Sequence, residues 1–324
     1  MTKLPIYSVE DASKKYLEKL NRERPYKAMY SSLLGGIVTD PRMMIIPIDD
    51  HIVHRGDGIF EAFCSHNKAI YDIDAHLDRL EFSAKSIELS LPWSRQTLKD
   101  ICCEVGSASQ IEDITFRLYV SRGPGSFTPN PYDSDGPQLY IVATVFKKYP
   151  QALYENGVKV GISSHKAKAR PHCQVKSCNY LVNVLMTKET VDRKLNFLVC
   201  LDSENYVAEG PTENIALLTK NGEFIAPKFE NMLKGTSLLR IMDLAEKNKK
   251  QLGITNVRND NLSAKDFENA AEVFIIGTTM GILPVSEFNS IKLKSNHLDS
   301  CAHRLKELLE NDFSTNSERR TLFK

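Results

Sequence analysis

Val175-Lys176-Ser177-Cys178-Asn179-Tyr180-Leu181 is the stretch that decides how this chain is read. An apolar approach ends at Lys176, and a helix is expected from Leu181 to about Asp192. The lysine therefore stands where its side chain can project into a cleft. A lysine partly removed from water and placed near other cations loses affinity for its proton and becomes nucleophilic at neutral pH. Thirty-three residues on comes Glu209-Gly210-Pro211-Thr212-Glu213-Asn214, after the strand-like Asn205–Ala208. Leu233-Lys234-Gly235-Thr236-Ser237 then opens a helix expected over Thr236–Lys247. Gly277-Thr278-Thr279 follows the apolar strand Val273–Ile276. A helix start such as Gly235–Ser237 leaves backbone N–H groups free and favours an anion. The glycine at 277 permits close backbone approach. Each piece has a bland reading, a helix cap or a hairpin carboxylate; their order and spacing do not.

Composition bounds the rest. A chain of 324 residues exceeds the usual single-domain size, so two domains are expected. A 42% hydrophobic and 26% charged make-up is that of a globular protein. A net charge of +1 gives no electrostatic reason to expect nucleic acid or an acidic membrane as partner. No apolar run reaches the length of a membrane-spanning helix, and Met1–Tyr7 lacks the apolar core of a signal peptide. Seven cysteines at irregular spacing, without a repeated C-x-x-C pair, read as free thiols in a reducing, cytoplasmic setting.

Along the chain, residues 1–27 read as a helical leader, with a helix over 9–22 capped by Ser8. Residues 28–146 read as a small α+β domain. Its clearly apolar part begins at Met43–Ile48. Strands are expected at Gly58–Cys64, Ala69–Tyr71, Ile114–Ser121 and Gln138–Val145, around helices Ala75–Ser90 and Arg95–Val105. Residues 147–157 read as a linker and 158–324 as a larger domain. That domain has strands at Val158–Ser163, Phe197–Asp202, Asn214–Leu218, Glu223–Ile225 and Val273–Ile276, and a last helix Leu298–Glu310. The polar tail from Ser314 reads as frayed.

One lysine, one carboxylate and two anion-receiving turns are the parts needed to hold pyridoxal phosphate. Other chemistries lack their parts. His51, His54 and Asp57 have no fourth ligand at metal spacing. There is no G-x-S-x-G, and Gly35-Gly36 and Gly123-Pro124-Gly125 do not make a dinucleotide fingerprint.

The motifs together resemble the class IV, fold-type IV, pyridoxal phosphate enzymes. That family includes branched-chain aminotransferases, D-amino-acid aminotransferases and 4-amino-4-deoxychorismate lyases. The resemblance spans about residues 30–290, from His54-Arg55-Gly56-Asp57-Gly58-Ile59-Phe60-Glu61 through His76-Leu77-Asp78-Arg79-Leu80 and Arg117–Gly123 to Pro284-Val285. It implies a small α+β domain and a larger one with the cofactor between them, in a homodimer. It implies Lys176 as the Schiff-base lysine, Glu209 on the pyridine nitrogen and Leu233 against the ring face. Arg79, Gly235, Thr236, Ser237, Gly277 and Thr278 would hold the phosphate. Phe60, Arg122, Arg170, Tyr180 and Thr279 are the candidates for the substrate pocket.

The reaction so implied moves an amino group between an amino acid, of D or branched-chain type, and a 2-oxo acid. The alternative is aminodeoxychorismate lyase, which releases pyruvate. Lys-x-x-Asn at 176–179 and Gly123-Pro124-Gly125-Ser126-Phe127 resemble the plant-type D-amino-acid aminotransferase and lyase branches. The Arg-x-His clamp of the bacterial D-specific enzymes is absent. Glu61, where the lyase branch tends to carry a small or hydroxyl residue, favours transfer.

Overall fold

The computed structural model describes residues 4–20, 23–293 and 300–324. Period-two alternation builds its first sheet from β1 (Tyr26–Ser31), β2 (Gly36–Val38), β3 (Gly58–His66), β4 (Ala69–Tyr71), β5 (Ile114–Ser121) and β6 (Gln138–Val145). Their order across the sheet is β4-β3-β5-β6-β1-β2. Ile59 and Phe63 of β3, Phe116, Leu118 and Val120 of β5, and Leu139, Ile141 and Ala143 of β6 join one buried cluster. The helices Ile73–Ser86 and Arg95–Ser109 close over it with Leu77, Leu80, Leu98, Cys102 and Val105. Successive strand residues point to opposite faces. The other face therefore carries Phe60 opposite Tyr119 and Ala62 opposite Arg117.

The second sheet contains β7 (Val158–Lys166), β8 (Phe197–Leu201), β9 (Asn214–Leu218), β10 (Glu223–Pro227), β11 (Asn256–Asp260), β12 (Glu272–Gly277) and β13 (Gly281–Phe288). Its order is β11-β10-β9-β12-β13-β7-β8, with β14 (Ile291–Lys292) added to β13. Both faces are covered. Phe224, Phe274 and Ile276 pack under the helices Thr236–Lys247 and Cys301–Thr315, while Ile215, Ile225 and Ile275 pack on the opposite side. Strands buried on both faces read as continuous apolar runs, which is why Val273–Ile276 is legible in the sequence.

Several expectations change. The leader helix is Val9–Lys19, capped by Ser8 and without a buried residue; residues 21–22 lie outside the described ones. The apolar stretch at Met43–Ile48 is not a buried element: Met43, Ile45, Ile46 and Ile48 are exposed. The linker holds a short helix, Gln151–Asn156, and Tyr154 hydroxyl donates to Met280 carbonyl at 2.9 Å. The last helix is Cys301–Thr315; residues 298–299 of the expected one lie outside the described residues. No described helix is long and apolar enough to cross a membrane.

The tail is ordered rather than frayed. Arg320–Leu322 forms β15, paired antiparallel with β4 of the first sheet. Phe323, 8% exposed, enters the first core and meets Phe116 edge-on at 6.2 Å. Residues 320–324, grouped by sequence with the second domain, thus complete the first sheet. Upstream, Asp312 accepts from Arg240 and Tyr71, and Arg319 pairs with Asp72. Phe323→Ala should lower the unfolding free energy by ~3 kcal/mol, measured by urea denaturation. A change within ~0.5 kcal/mol would show that the tail is peripheral.

Candidate active site

Lys176 is carried by the first sheet, although it belongs to a loop after β7. Phe60 N–H donates to Lys176 carbonyl at 2.9 Å, and Cys178 N–H donates to Gly58 carbonyl at 2.8 Å. Ile59 and Ser177 form an antiparallel bridge, and Lys176 N–H donates to Ser83 Oγ at 3.2 Å. Gly56 makes this approach possible: it has φ +65°, and a Cβ there would lie 3.1 Å from Asn179 Cα. The Lys176 ammonium lies 4.6 Å from the Phe60 ring centroid. Phe60 in turn stacks on Tyr119 at 5.8 Å and meets Tyr180 edge-on at 5.4 Å. Burial, then the nearby Arg79, pushes Lys176 down to about 8, against the pull of Glu61 and Glu209.

Glu209 reaches the cleft from the second sheet. Its carbonyl accepts from Cys200 N–H at 2.8 Å, and its Oε2 accepts from Leu233 N–H at 3.0 Å. Burial pushes the carboxyl up to about 7, opposed by that N–H, Lys168, Lys176 and Arg79. Asn214, five residues on, pins the next turn by donating from Nδ2 to Leu233 carbonyl at 3.0 Å. A Cβ on Gly235 would fall 1.9 Å from Asn214 Oδ1, so the turn admits only glycine.

The third part is an anion-receiving end. Gly235 caps the helix Thr236–Lys247 and no side chain satisfies its first turn. Those amides remain available to an anion. Arg79 stands beside them, its Nη1 donating to Lys234 carbonyl at 3.1 Å. Glu61 holds Arg79 in a fork, with Nε to Oε1 at 2.8 Å and Nη2 to Oε2 at 2.7 Å. His76 Nδ1 lies 2.7 Å from Glu61 Oε2, and its Nε2 lies 3.2 Å from Thr236 Oγ1. Burial alone would raise the fully buried Glu61; Arg79 and His76 overcome it and hold the carboxyl at about 2. Glu61 and His76 thus brace the arginine from behind and do not line the cleft.

The cleft is lined by Lys176, Glu209, Arg79, Leu233, Gly235, Thr236, Ser237, Gly277, Thr278 and Tyr180. All of these are singled out by the sequence, and the fold brings them together here. Phe60 lies beside Lys176, as described. Arg122, Arg170 and Thr279 do not line the cleft. Arg122 is bound by Asp57 through two 3.0 Å contacts and donates to the carbonyls of Glu88 and Ile87. Its charge fixes the end of a helix and is not free for substrate. Arg170 is held by Asn231 and pairs with Glu230 at 3.4 Å. Thr279 faces a neighbouring cavity.

Two polar lining residues, Lys168 and Asn183, lie outside every motif quoted from the sequence. Burial lowers the Lys168 pKa, and Glu209 opposes that shift. Asn183 donates to Pro211 carbonyl at 2.6 Å, while its buried Oδ1 has no partner. Asn183 is the third residue of the helix Leu181–Asp192, which begins beyond the extended Lys176 segment, so no helical spacing links the two in the sequence.

This donor set fits pyridoxal phosphate. The uncapped helix start and Arg79 suit a phosphate, and Lys176 suits an aldehyde. Glu209 is a carboxylate that ionises when a cation is placed against it. Among the described residues Lys176 Nζ makes no hydrogen bond that would have to be given up. The Glu61 brace is testable alone. Its folded-state pKa is depressed, so the stabilisation is present above pH 4.5 and is lost as pH falls toward 2. Glu61→Gln should cost ~3–5 kcal/mol at pH 7, with the gap to the wild type narrowing at about pH 3.5, measured by urea unfolding. An equal cost at both pH values would show that the charge is not what matters.

Comparison with known proteins places this geometry. The amino-transferase class IV family matches residues 58–288. The chloroplastic D-amino-acid transaminase of Arabidopsis thaliana is 36% identical over 290 residues, covering 89% of this chain and 76% of that protein. The fold matches the branched-chain aminotransferase of the thermophilic archaeon Thermoproteus uzoniensis with norvaline. That match has a TM-score of 0.80 at 21% identity, over 92% of this chain and 99% of the other. It also matches 4-amino-4-deoxychorismate lyase from Pseudomonas aeruginosa, with a TM-score of 0.71 at 23% identity over 83% and 95%. At those identities the two structures speak for the fold alone. The family match and the 36% relative go further: this chain belongs to the class IV aminotransferases, enzymes of fold-type IV that use pyridoxal phosphate.

Proposed function

We propose that this enzyme moves the amino group of a D-amino acid to a 2-oxo acid, with Lys176 as its catalytic residue. The observation that carries pyridoxal phosphate chemistry is the placement of Lys176 and Glu209 in one cleft whose far end is suited to an anion; the choice of transfer rests on the family match. The D-amino-acid choice rests on the 36% likeness to the Arabidopsis transaminase.

Pyridoxal phosphate, when bound, supplies an aldehyde that takes up the amino group and a ring that draws electrons from the substrate α-carbon. Lys176 would hold the cofactor through its aldehyde, and its free amine is the group in the cleft suited to move the α-proton. A pKa of about 8 leaves a working fraction of free amine near neutral pH. Glu209 would pair with the ring nitrogen of the bound cofactor and keep its proton in place. Its one bound oxygen, Oε2 on Leu233 N–H, fixes the direction of the carboxylate. Arg79 and the amides of Gly235–Ser237 would hold the phosphate, with Thr278 beside them. Leu233 would cover a ring face. Tyr180, whose hydroxyl donates to Pro211 carbonyl at 2.9 Å, walls the substrate side with Phe60.

With Arg122 and Arg170 committed elsewhere, Arg117 is the arginine available for the substrate carboxylate. It is exposed, lies two residues from Tyr119 on the Phe60 face, and no carboxylate pairs with it among the described residues. Its charge is felt at Tyr180. Exposed Leu33 and Leu34, and exposed Met43, Ile45, Ile46 and Ile48, are two apolar stretches that a second copy of the chain would cover in a homodimer.

Glu61 no longer separates transferase from lyase, because it acts on Arg79 and not on substrate. Single-turnover absorbance with D-alanine, D-glutamate, L-leucine and aminodeoxychorismate separates them. D-amino acids should bleach the yellow holoenzyme and a 2-oxo acid should restore it. L-leucine should be ~100-fold slower, about 2.7 kcal/mol in barrier. Faster bleaching by L-leucine would make the enzyme a branched-chain aminotransferase. Pyruvate release from aminodeoxychorismate, with no bleaching by any amino acid, would make it a lyase.

A further inference from the structure

A second cavity, of about 450 Å³, lies beyond the Thr278–Gly281 turn, between the connector after β6 and the C-terminal helix. That volume is in the range of sites that enclose small organic ligands. Its walls include Phe146, Tyr149, Tyr154 and Phe313, and its cations include Lys148 and Arg320. The aromatic wall is already assembled. His66 stacks on Phe313 with ring centroids 5.3 Å apart and meets Phe146 edge-on at 5.2 Å.

The charges decide what the cavity would take. Lys306 is spent on Glu310 at 2.6 Å. Lys148 is exposed on the connector, and no carboxylate pairs with it among the described residues. Arg320 donates from Nη1 to Ser314 carbonyl at 3.0 Å, but its Nε is buried and has no acceptor. A buried N–H left unpaired is costly, and native structures rarely keep one without a reason.

We propose that this cavity is a second binding site, for a flat aromatic carboxylate whose ring lies among the aromatic walls and whose carboxylate meets Arg320 and Lys148. The site is separate from the cleft of Lys176 but shares Thr278 with it. Tyr154, which the ligand would touch, also holds the turn through Met280 carbonyl. The proposal stands whichever amino acid the enzyme uses.

Isothermal titration of the holoenzyme with 2-naphthoate tests it. The wild type should bind one equivalent per chain. Lys148→Gln and Arg320→Gln should each weaken binding about tenfold or more, with transferase rates kept within about twofold. Lys148 is exposed and makes no contact on which folding depends, so that variant guards against a folding defect at Arg320. Unchanged affinity in the Lys148 and Arg320 variants, loss of transferase activity together with binding, or no saturable binding by the wild type up to about 1 mM would overturn the proposal.

Discussion

Backbone pairing between Gly58–Phe60 and Lys176–Cys178 joins the two halves of this protein. Lys176 comes from the segment after β7, while Phe60 and Arg79 come from the first sheet and the helix packed on it. Two short hydrogen bonds and one bridge set Lys176 over the Phe60 ring, and Gly56 leaves room for the crossing. The opposite end of the domain junction is closed by Tyr71, Arg240 and Asp312, and by a C-terminal strand that returns to the first sheet. With both ends tied, Glu209 and the helix start at Gly235 face Lys176 at a fixed spacing. Preorganisation of this kind places binding groups before the substrate arrives.

Two carboxylates show how the same burial gives different chemistry. Glu61 and Glu209 are each removed from water, which raises a carboxyl pKa. Glu61 meets a bidentate guanidinium and an imidazole and is held at about 2. Glu209 receives one backbone N–H and more distant cations and sits at about 7. The first is a permanent charge suited to bracing Arg79. The second takes or keeps a proton according to what is placed against it. Lys176, also removed from water, is pushed down to about 8.

What could be read from sequence follows from what is local. Lys176, Glu209 and the turns at Gly235 and Gly277 carry short-range signatures: a strand-to-helix step, a turn motif, a helix start. Arg122 and Arg170 carry none. Whether Arg122 meets substrate or Asp57 is decided by which strand end lies beside it, and that is tertiary. Lys168 enters the cleft with no pattern to announce it. The strand β13 escapes a sequence reading because Pro284 sits within it, and proline speaks against a strand interior. Met43–Ile48 is apolar, yet apolarity does not say what a segment is covered by, and here it faces outward. The tail looks polar because of residues 314–321, while one aromatic at its end, Phe323, anchors it in the first core.

The central claim is that Lys176, and not its neighbour in the cleft, carries the cofactor. Borohydride reduction of the pyridoxal phosphate-loaded protein, followed by peptide mass spectrometry, tests this most directly. Lys168 is the internal competitor: it lines the same cleft, and burial lowers its pKa too. The geometry requires the reduced adduct on the peptide bearing Lys176, stoichiometric with chain and with Lys168 unmodified. An adduct on Lys168, or one spread over surface lysines with Lys176 left free, would contradict the account.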